Sequence, residues 1–139
     1  MSRAMTHRLH ASRDDDRMVA VERTNTVLYC EQWAETARFY RHALGLAVTF
    51  ENDWFVEFAV RPGAFLSVAD ASRSSIRPGD GAGITLSWQV ADITAVRSSL
   101  AATGVAVGEP TRRFGADVFD VFDPAGNRIE FWSGPLGDG

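Results

Sequence analysis

Glu130 is the residue whose type and position first suggest chemistry, because it is a carboxylate set among large apolar residues. The runs 118–122 and 128–132 are rich in Val, Ile, Phe and Trp, and they flank an Asp-Pro-Ala-Gly-Asn segment. Proline presets φ for a turn, and Gly or Asn accepts the left-handed conformation that closes it. The pattern predicts a β-hairpin. Side chains alternate along a strand, so one face of the second arm carries three polar or aromatic residues, Arg128, Glu130 and Trp132.

Two roles for Glu130 follow from these residue types. Among aromatic side chains, a carboxyl group is suited to act as general acid or base, or to anchor a cationic ligand group. Alternatively, Glu130 forms an ion pair with Arg128 or with an arginine of another strand, and a partly exposed pair contributes only about 0–1 kcal/mol. The sequence leaves both roles open.

Composition narrows the classes of function. The chain has 139 residues, of which 45% are hydrophobic, so we expect a single domain with a packed core. A net charge of -4 argues against nucleic acid as a partner. No apolar run has the length of a membrane span, and no signal peptide is recognised, so we expect no membrane partner. The single cysteine, Cys30, cannot form an internal disulfide, which fits a cytoplasmic location.

The basic residues exclude further chemistry. All 14 Lys or Arg residues are arginines, so a lysine Schiff base and a phosphate-binding P-loop are unavailable. Of the three histidines, His7 and His10 lie in the N-terminal segment, and His42 lies in a predicted helix, where we expect an exposed residue. A His and Cys zinc site or a Ser-His-Asp triad is therefore not expected.

The order of predicted elements repeats along the chain. Residues 1–22 have few large apolar residues and are predicted to form a mobile tail. The next part reads as a strand, a helix and three strands, at 25–30, 33–44, 46–50, 54–60 and 64–69. Residues 70–83 are rich in Ser, Gly and Asp and form a linker. A second strand, helix and three strands follow, at 84–90, 92–104, 105–107, 117–122 and 128–132, which indicates a duplicated module.

Three segments in this order resemble one family. They are Phe39-Tyr40-Arg41-His42-Ala43-Leu44-Gly45-Leu46, the stretch 90–105, and the stretch 122–131. Together they resemble the vicinal oxygen chelate superfamily, which includes glyoxalase I, extradiol dioxygenases and bleomycin-resistance proteins. The resemblance implies an α+β fold in which two βαβββ modules form curved mixed sheets around a cavity. It places the domain at 23–135, with repeat 1 at about 24–69 and repeat 2 at about 84–132, and it implies a homodimer.

The resemblance also indicates where a metal would bind. Metal-dependent members hold a divalent ion with one side chain on the first and one on the last strand of each half. Here those places fall at Asn25, Ser67 (or Leu66 if the register shifts by one), Thr85 and Glu130. Only Glu130 is a strong ligand, because neutral amides and hydroxyls lack the charge and basicity of carboxylate or imidazole. We therefore expect neither a catalytic metal nor another cofactor.

The same alternation predicts a ligand-binding wall on the strands. The faces that carry those four places combine aromatic and aliphatic groups with a few polar groups, as small-molecule pockets do. Phe55 is a further candidate for the rim of the pocket, beside Trp54 and Phe114. The predicted ligand-binding residues are Asn25, Val27, Tyr29, Phe65, Ser67, Thr85, Ser87, Gln89, Arg128 and Trp132 on the strands, with Trp54 and Phe114 at the rim. Alternatively, several of these aromatic residues pack the core.

Three functions from different classes remain. The first is a metal-independent protein that binds and sequesters a small aromatic or polycyclic molecule. The second is a metal-independent lyase, isomerase or cyclase in which Glu130 transfers a proton. The third is a metal-dependent glyoxalase or dioxygenase. The sequence favours the first over the others and does not decide whether the protein is an enzyme.

Overall fold

The computed structural model describes residues 18–134. Positions 1–17 of the predicted tail at 1–22 therefore lie outside the described residues. The N-terminal module contains β1 (Thr24–Cys30), helix α1 (Trp33–Arg38), which continues as a π-helix (Phe39–Ala43), then β2 (Ala47–Glu51), β3 (Phe55–Arg61) and β4 (Ala64–Asp70). A short 3₁₀ helix (Ala71–Arg73) begins the linker. The C-terminal module contains β5 (Thr85–Gln89), α2 (Ile93–Ala102), β6 (Thr111–Arg113), β7 (Ala116–Phe122) and β8 (Arg128–Ser133).

The two modules have the same sheet topology. The N-terminal sheet has the order β1-β4-β3-β2, and the C-terminal sheet has the order β5-β8-β7-β6. In each sheet the first and last strands of the module pair in parallel, while the remaining pairs are antiparallel. Parallel pairing requires a crossover, which in each module consists of the helix and the two strands that follow it. The predicted α+β fold of two βαβββ modules with mixed sheets is confirmed.

Local sequence signals position the helices. Gly45 ends the first helical segment with φ 70°, and Gly104 follows the second with φ 90°, a conformation that glycine adopts without strain. Asp92 caps α2, because its Oδ1 accepts hydrogen bonds from the backbone N–H groups of Thr94 and Ala95. The first segment departs from the predicted continuous α-helix, since Leu44 N–H donates to Phe39 O, five residues back.

The predicted strand at 105–107 is wrong. The edge strand of the C-terminal sheet is instead Thr111–Arg113, a polar segment without apolar alternation. It forms because Phe114 and Gly115, with φ 52° and 79°, make a two-residue hairpin turn that folds the segment back onto β7. Between positions 105 and 110, Gly108 N–H donates to Asp120 O. Turn geometry rather than hydrophobicity therefore decides which residues form this edge.

One hydrophobic core joins both modules on the helix side of the sheets. It includes Phe58 and Val68 from the N-terminal module and Phe119 and Ile129 from the C-terminal module, each 0% exposed. Cys30 also lies in this core, and burial raises the pKa of its thiol to about 11. The thiol is therefore neutral and poorly suited to act as a nucleophile or a metal ligand. Among the described residues, no helix is long and apolar enough to cross a membrane.

Candidate functional site

The side of each sheet that faces away from the helices is only partly covered. In the N-terminal sheet this side carries Asn25, Val27, Tyr29, Phe50, Phe55, Glu57, Phe65 and Ser67, as the pairing register requires. In the C-terminal sheet it carries Thr85, Ser87, Gln89, Thr111, Arg113, Asp120, Phe122, Arg128, Glu130 and Trp132. We call these surfaces the N-terminal open face and the C-terminal open face. All the predicted site residues on the strands belong to one of the two.

A polar network centred on Glu57 lies on the N-terminal open face. Its carboxylate accepts hydrogen bonds from Thr49 Oγ1 at 2.7 Å, Asn25 Nδ2 at 3.2 Å and the Arg23 guanidinium at 3.2 Å. Asn25 Oδ1 in turn accepts a hydrogen bond from Ser67 Oγ at 2.9 Å. The Thr49 hydroxyl, followed by Arg23, holds the pKa of Glu57 below its ordinary value. Glu57 is therefore an ionised, well-oriented carboxylate.

Aromatic rings surround this network. Phe50 is 53% exposed and lies opposite Glu57 across the β2–β3 pair. Phe50 and Trp54 both contact Phe55, with ring centroids 6.2 and 5.5 Å apart. The Arg23 guanidinium lies 3.8 Å from the centroid of the Phe65 ring. The N-terminal open face is thus a largely aromatic surface with one oriented acid.

The C-terminal open face is more polar. Glu130 accepts hydrogen bonds from Ser87 Oγ at 2.8 Å and from Arg113 Nη1 at 3.2 Å. Arg113 Nη2 also donates to Asp120 Oδ2 at 3.4 Å. Arg128 Nη2 lies 3.2 Å from Asp120 Oδ2 and 3.9 Å from Glu130 Oε2. Two arginines and two carboxylates therefore form one half-buried ionic cluster, which includes an ion pair of the kind that the sequence left open as one of two roles for Glu130.

The structure brings the predicted site residues together as two groups. Asn25 contacts Ser67 on one sheet, and Ser87 contacts Glu130 on the other. Within residues 18–134, the hydrogen bonds and ion pairs of the two open faces stay inside their own sheets. The register places Ser67, not Leu66, on the open face. These contacts therefore do not join the two groups into one polar site.

Other predicted residues have different surroundings. Phe114 is 94% exposed at the tip of the β6–β7 hairpin. Gln89 Nε2 donates to Gly134 O, and the residue borders a groove on the helix side between the modules. Val27 and Tyr29 border a recess of about 260 Å³ beside the linker. Thr85 is exposed and Trp132 is half-buried.

Sequence reasoning missed six residues of the open faces, and four of them, Phe50, Glu57, Arg113 and Asp120, belong to the aromatic surface or to the two polar networks. Alternation along β3 and β7 would have identified Glu57 and Asp120, since they lie opposite Ser67 and Glu130. Phe50 was hidden by the register shift between Val48 and Phe50 in β2. Arg113 carried no signal, because its strand was not predicted.

The donor set does not suit the divalent metal that the fold family implies. Within residues 18–134, no three His, Cys, Asp or Glu side chains are gathered where they could hold an ion. Glu130, the strongest ligand among the predicted places, is already paired with Arg113. A guanidinium beside a carboxylate repels a second cation, and the remaining places offer only neutral oxygen or nitrogen atoms.

Glu57 is expected to make stability depend on pH. Its pKa in the folded state is lowered, so its stabilising contacts are fully present above the ordinary value of 4.5 and are lost as pH falls through the lower folded value. Glu57→Gln should therefore reduce stability at pH 7, and the difference from wild type should shrink below pH 4.5. Urea unfolding across this range measures it. Glu109→Gln, at an 89% exposed carboxylate, is the control, and a difference that did not vary with pH would contradict the expectation.

Comparisons with known proteins agree with this architecture. Residues 23–131 match the model of the Glyoxalase/Bleomycin resistance protein/Dioxygenase superfamily. A lactoylglutathione lyase from Agrobacterium tumefaciens superposes with a TM-score of 0.68 at 21% identity, covering 84% of this chain and 96% of that one. A glyoxalase/bleomycin resistance protein from Catenulispora acidiphila gives a TM-score of 0.66 at 21% identity, covering 81% and 98%.

A glyoxalase/bleomycin resistance protein/dioxygenase from Nocardioides gives a TM-score of 0.69 at 17% identity, covering 93% of each chain. Among curated proteins, no sequence matches this chain. Likeness at these identities describes the fold, so the function must be argued from the residues of the open faces.

Proposed function

Because the chain belongs to the glyoxalase/bleomycin resistance protein/dioxygenase superfamily, we propose that it binds a small aromatic or polycyclic molecule without a metal ion and sequesters it. The observation that carries this proposal is that the chain has both an aromatic open face, on the N-terminal sheet, and a polar one, on the C-terminal sheet. Phe50 and Phe55 offer aromatic surface against which a flat ligand packs. The ionic cluster around Glu130 offers groups that orient the polar substituents of that ligand.

We further propose that two copies of the chain complete the site. The modules share a core on the helix side, which turns both open faces away from that core. In a symmetric homodimer, the N-terminal open face of one protomer covers the C-terminal open face of its partner. Such an arrangement encloses the aromatic rings and the ionic cluster in one cavity. Light scattering coupled to size-exclusion chromatography should then give twice the mass of one chain.

Titration with a panel of polycyclic aromatic compounds tests the binding function. We expect stoichiometric binding and recovery of the unchanged ligand, followed by tryptophan fluorescence and mass spectrometry. Phe50→Ala should weaken binding about tenfold, because it removes a stacking surface that is 53% exposed. Ile76→Ala is the matched control, since Ile76 is 49% exposed but lies in the linker. Equal effects of the two substitutions would contradict the proposed wall.

A second candidate function is a metal-independent lyase, isomerase or cyclase. It is supported by the Ser87–Glu130 hydrogen bond, which holds an oriented carboxylate on a half-buried surface. In that case Glu130→Gln should retain ligand binding and abolish conversion of the ligand. Elemental analysis of protein purified without added metal distinguishes both candidates from a metal-dependent glyoxalase or dioxygenase, which would carry a stoichiometric transition metal.

A further inference from the structure

We propose that the ligand carries an oxyanion, such as a carboxylate or phenolate, and that Arg113 and Arg128 bind it on the C-terminal open face. This inference rests on the proposed binding function, because it concerns the polar end of the same ligand. It assigns the binding role to the two guanidiniums. The two carboxylates beside them, Glu130 and Asp120, become positioning residues.

The argument begins with the hydrogen-bond donors of the cluster. A guanidinium carries five N–H donors. Arg113 uses one on Glu130 and one on Asp120. Arg128 contacts the same carboxylates through Nη2 alone, and its Nε is buried without a partner among the described residues, so a ligand cannot reach that N–H group. With that buried Nε set aside, about half of the N–H donors of the two arginines remain unused.

The acceptors of the cluster are closer to saturation. Glu130 Oε1 accepts from Ser87, and Glu130 Oε2 is shared by the two arginines. Asp120 Oδ2 is also shared by both, and its Oδ1 is buried, so a ligand cannot reach it. The cluster has no excess of charge, but it has an excess of unused donors over reachable acceptors. Such an imbalance favours an acceptor-rich ligand group.

The surroundings distinguish an oxyanion from a cation. A cationic group would have to approach the remaining lone pairs of Glu130 between two guanidiniums, which repel it. An oxyanion instead accepts hydrogen bonds from unused terminal N–H groups of Arg113 and Arg128, whose side chains are 36% and 34% exposed. Trp132, which is half-buried on the same face, offers a ring next to this position.

The test compares 2-naphthoate with 2-naphthamide, two probes of the same shape that differ in charge. Isothermal titration at pH 7 should show naphthoate binding about tenfold or more tightly than naphthamide. Arg113→Met should remove most of this preference, because it should weaken naphthoate binding far more than naphthamide binding. Arg113→Lys should restore part of it, because charge returns without the planar fork.

Arg112→Met is the matched control. Arg112 precedes Arg113 on the same strand, but it pairs with the exposed Asp117 and points to the opposite face. The substitution removes the same charge as Arg113→Met, but from the other face of the sheet. It should therefore leave the preference for naphthoate intact. Circular dichroism verifies that each variant is folded.

The outcomes separate this inference from the proposed function. Equal binding of naphthoate and naphthamide to the wild-type protein would overturn the oxyanion assignment and leave aromatic binding standing. Equal loss of naphthoate binding in Arg112→Met and Arg113→Met would also overturn it, because a general charge effect would then explain the preference. Binding of neither probe, together with failure of the polycyclic panel, would overturn both proposals.

Discussion

Replacing Asp123 by alanine is expected to lower the free energy of unfolding by about 3–5 kcal/mol. Asp123 is only 4% exposed and lies in the turn between β7 and β8. Its carboxylate accepts four hydrogen bonds, from Tyr40 Oη at 2.7 Å, from the backbone N–H groups of Ala125 and Asn127, and from Asn127 Nδ2. Alanine would leave these donors buried without partners.

The hydrogen bond from Tyr40 gives Asp123 a second role. Tyr40 belongs to the N-terminal module and Asp123 to the C-terminal module, so this bond joins the two across the shared core. Burial, and then the nearby carboxylate, raises the pKa of Tyr40 above its ordinary value, so the hydroxyl remains a donor. Loss of Asp123 should therefore weaken both the hairpin turn and the contact between modules.

Two substitutions calibrate this prediction in urea unfolding. Tyr40→Phe removes only the bond between modules and should cost about 1.5–3 kcal/mol, the usual contribution of a hydrogen bond to a charged group. Asp117→Ala removes an exposed carboxylate from β7, the strand that leads into this turn, and should cost less than about 1 kcal/mol. If Asp123→Ala cost no more than Asp117→Ala, the structural role of the buried carboxylate would be refuted.

Gly81→Ala is expected to have the second largest effect, a loss of about 2–5 kcal/mol. Gly81 has φ 85°, and a Cβ atom there would lie 2.0 Å from the backbone oxygen of Gly126. Gly126 has φ 93°, and its own Cβ would lie 2.8 Å from Asp80 O. The linker thus packs backbone to backbone on the β7–β8 turn, and a methyl group at position 81 must displace one of them.

Two neighbouring glycines separate the components of this loss. Gly83 has φ 74° but open space around it, so Gly83→Ala should show only the backbone strain, about 1–2 kcal/mol. Gly79 has neither constraint, so Gly79→Ala should be nearly neutral. Thermal unfolding of the three variants should give the order Gly81, Gly83, Gly79. An effect of Gly81→Ala no larger than that of Gly83→Ala would rule out close packing of the linker on the hairpin.

The hairpin and the helix ends could be predicted because they depend on neighbouring residues. The turn before Arg128, the Asp92 cap and the glycines at positions 45 and 104 all act within a few residues of chain. The same holds for the face of β8 that carries Glu130, since alternation follows directly from strand geometry. The repeated order of elements then predicted the two modules.

The partners of Glu130 could not be predicted in the same way. Arg113 reaches it from a strand that exists only because β7 lies beside it. Glu57 gathers residues from β1 and β2 that are far apart in the chain, and the sequence pattern does not show which cross-strand neighbours meet.

The chain of amino acids by itself determined most of the elements, their faces and the family, because these follow from local propensity, turn residues and alternation. Only the tertiary structure decided that the predicted site residues form two separate networks, each centred on a carboxylate paired with arginine. The physical reason is that hydrogen bonds and ion pairs depend on distances of about 3 Å between side chains of different strands, and those distances are set by packing of the sheets against the shared core.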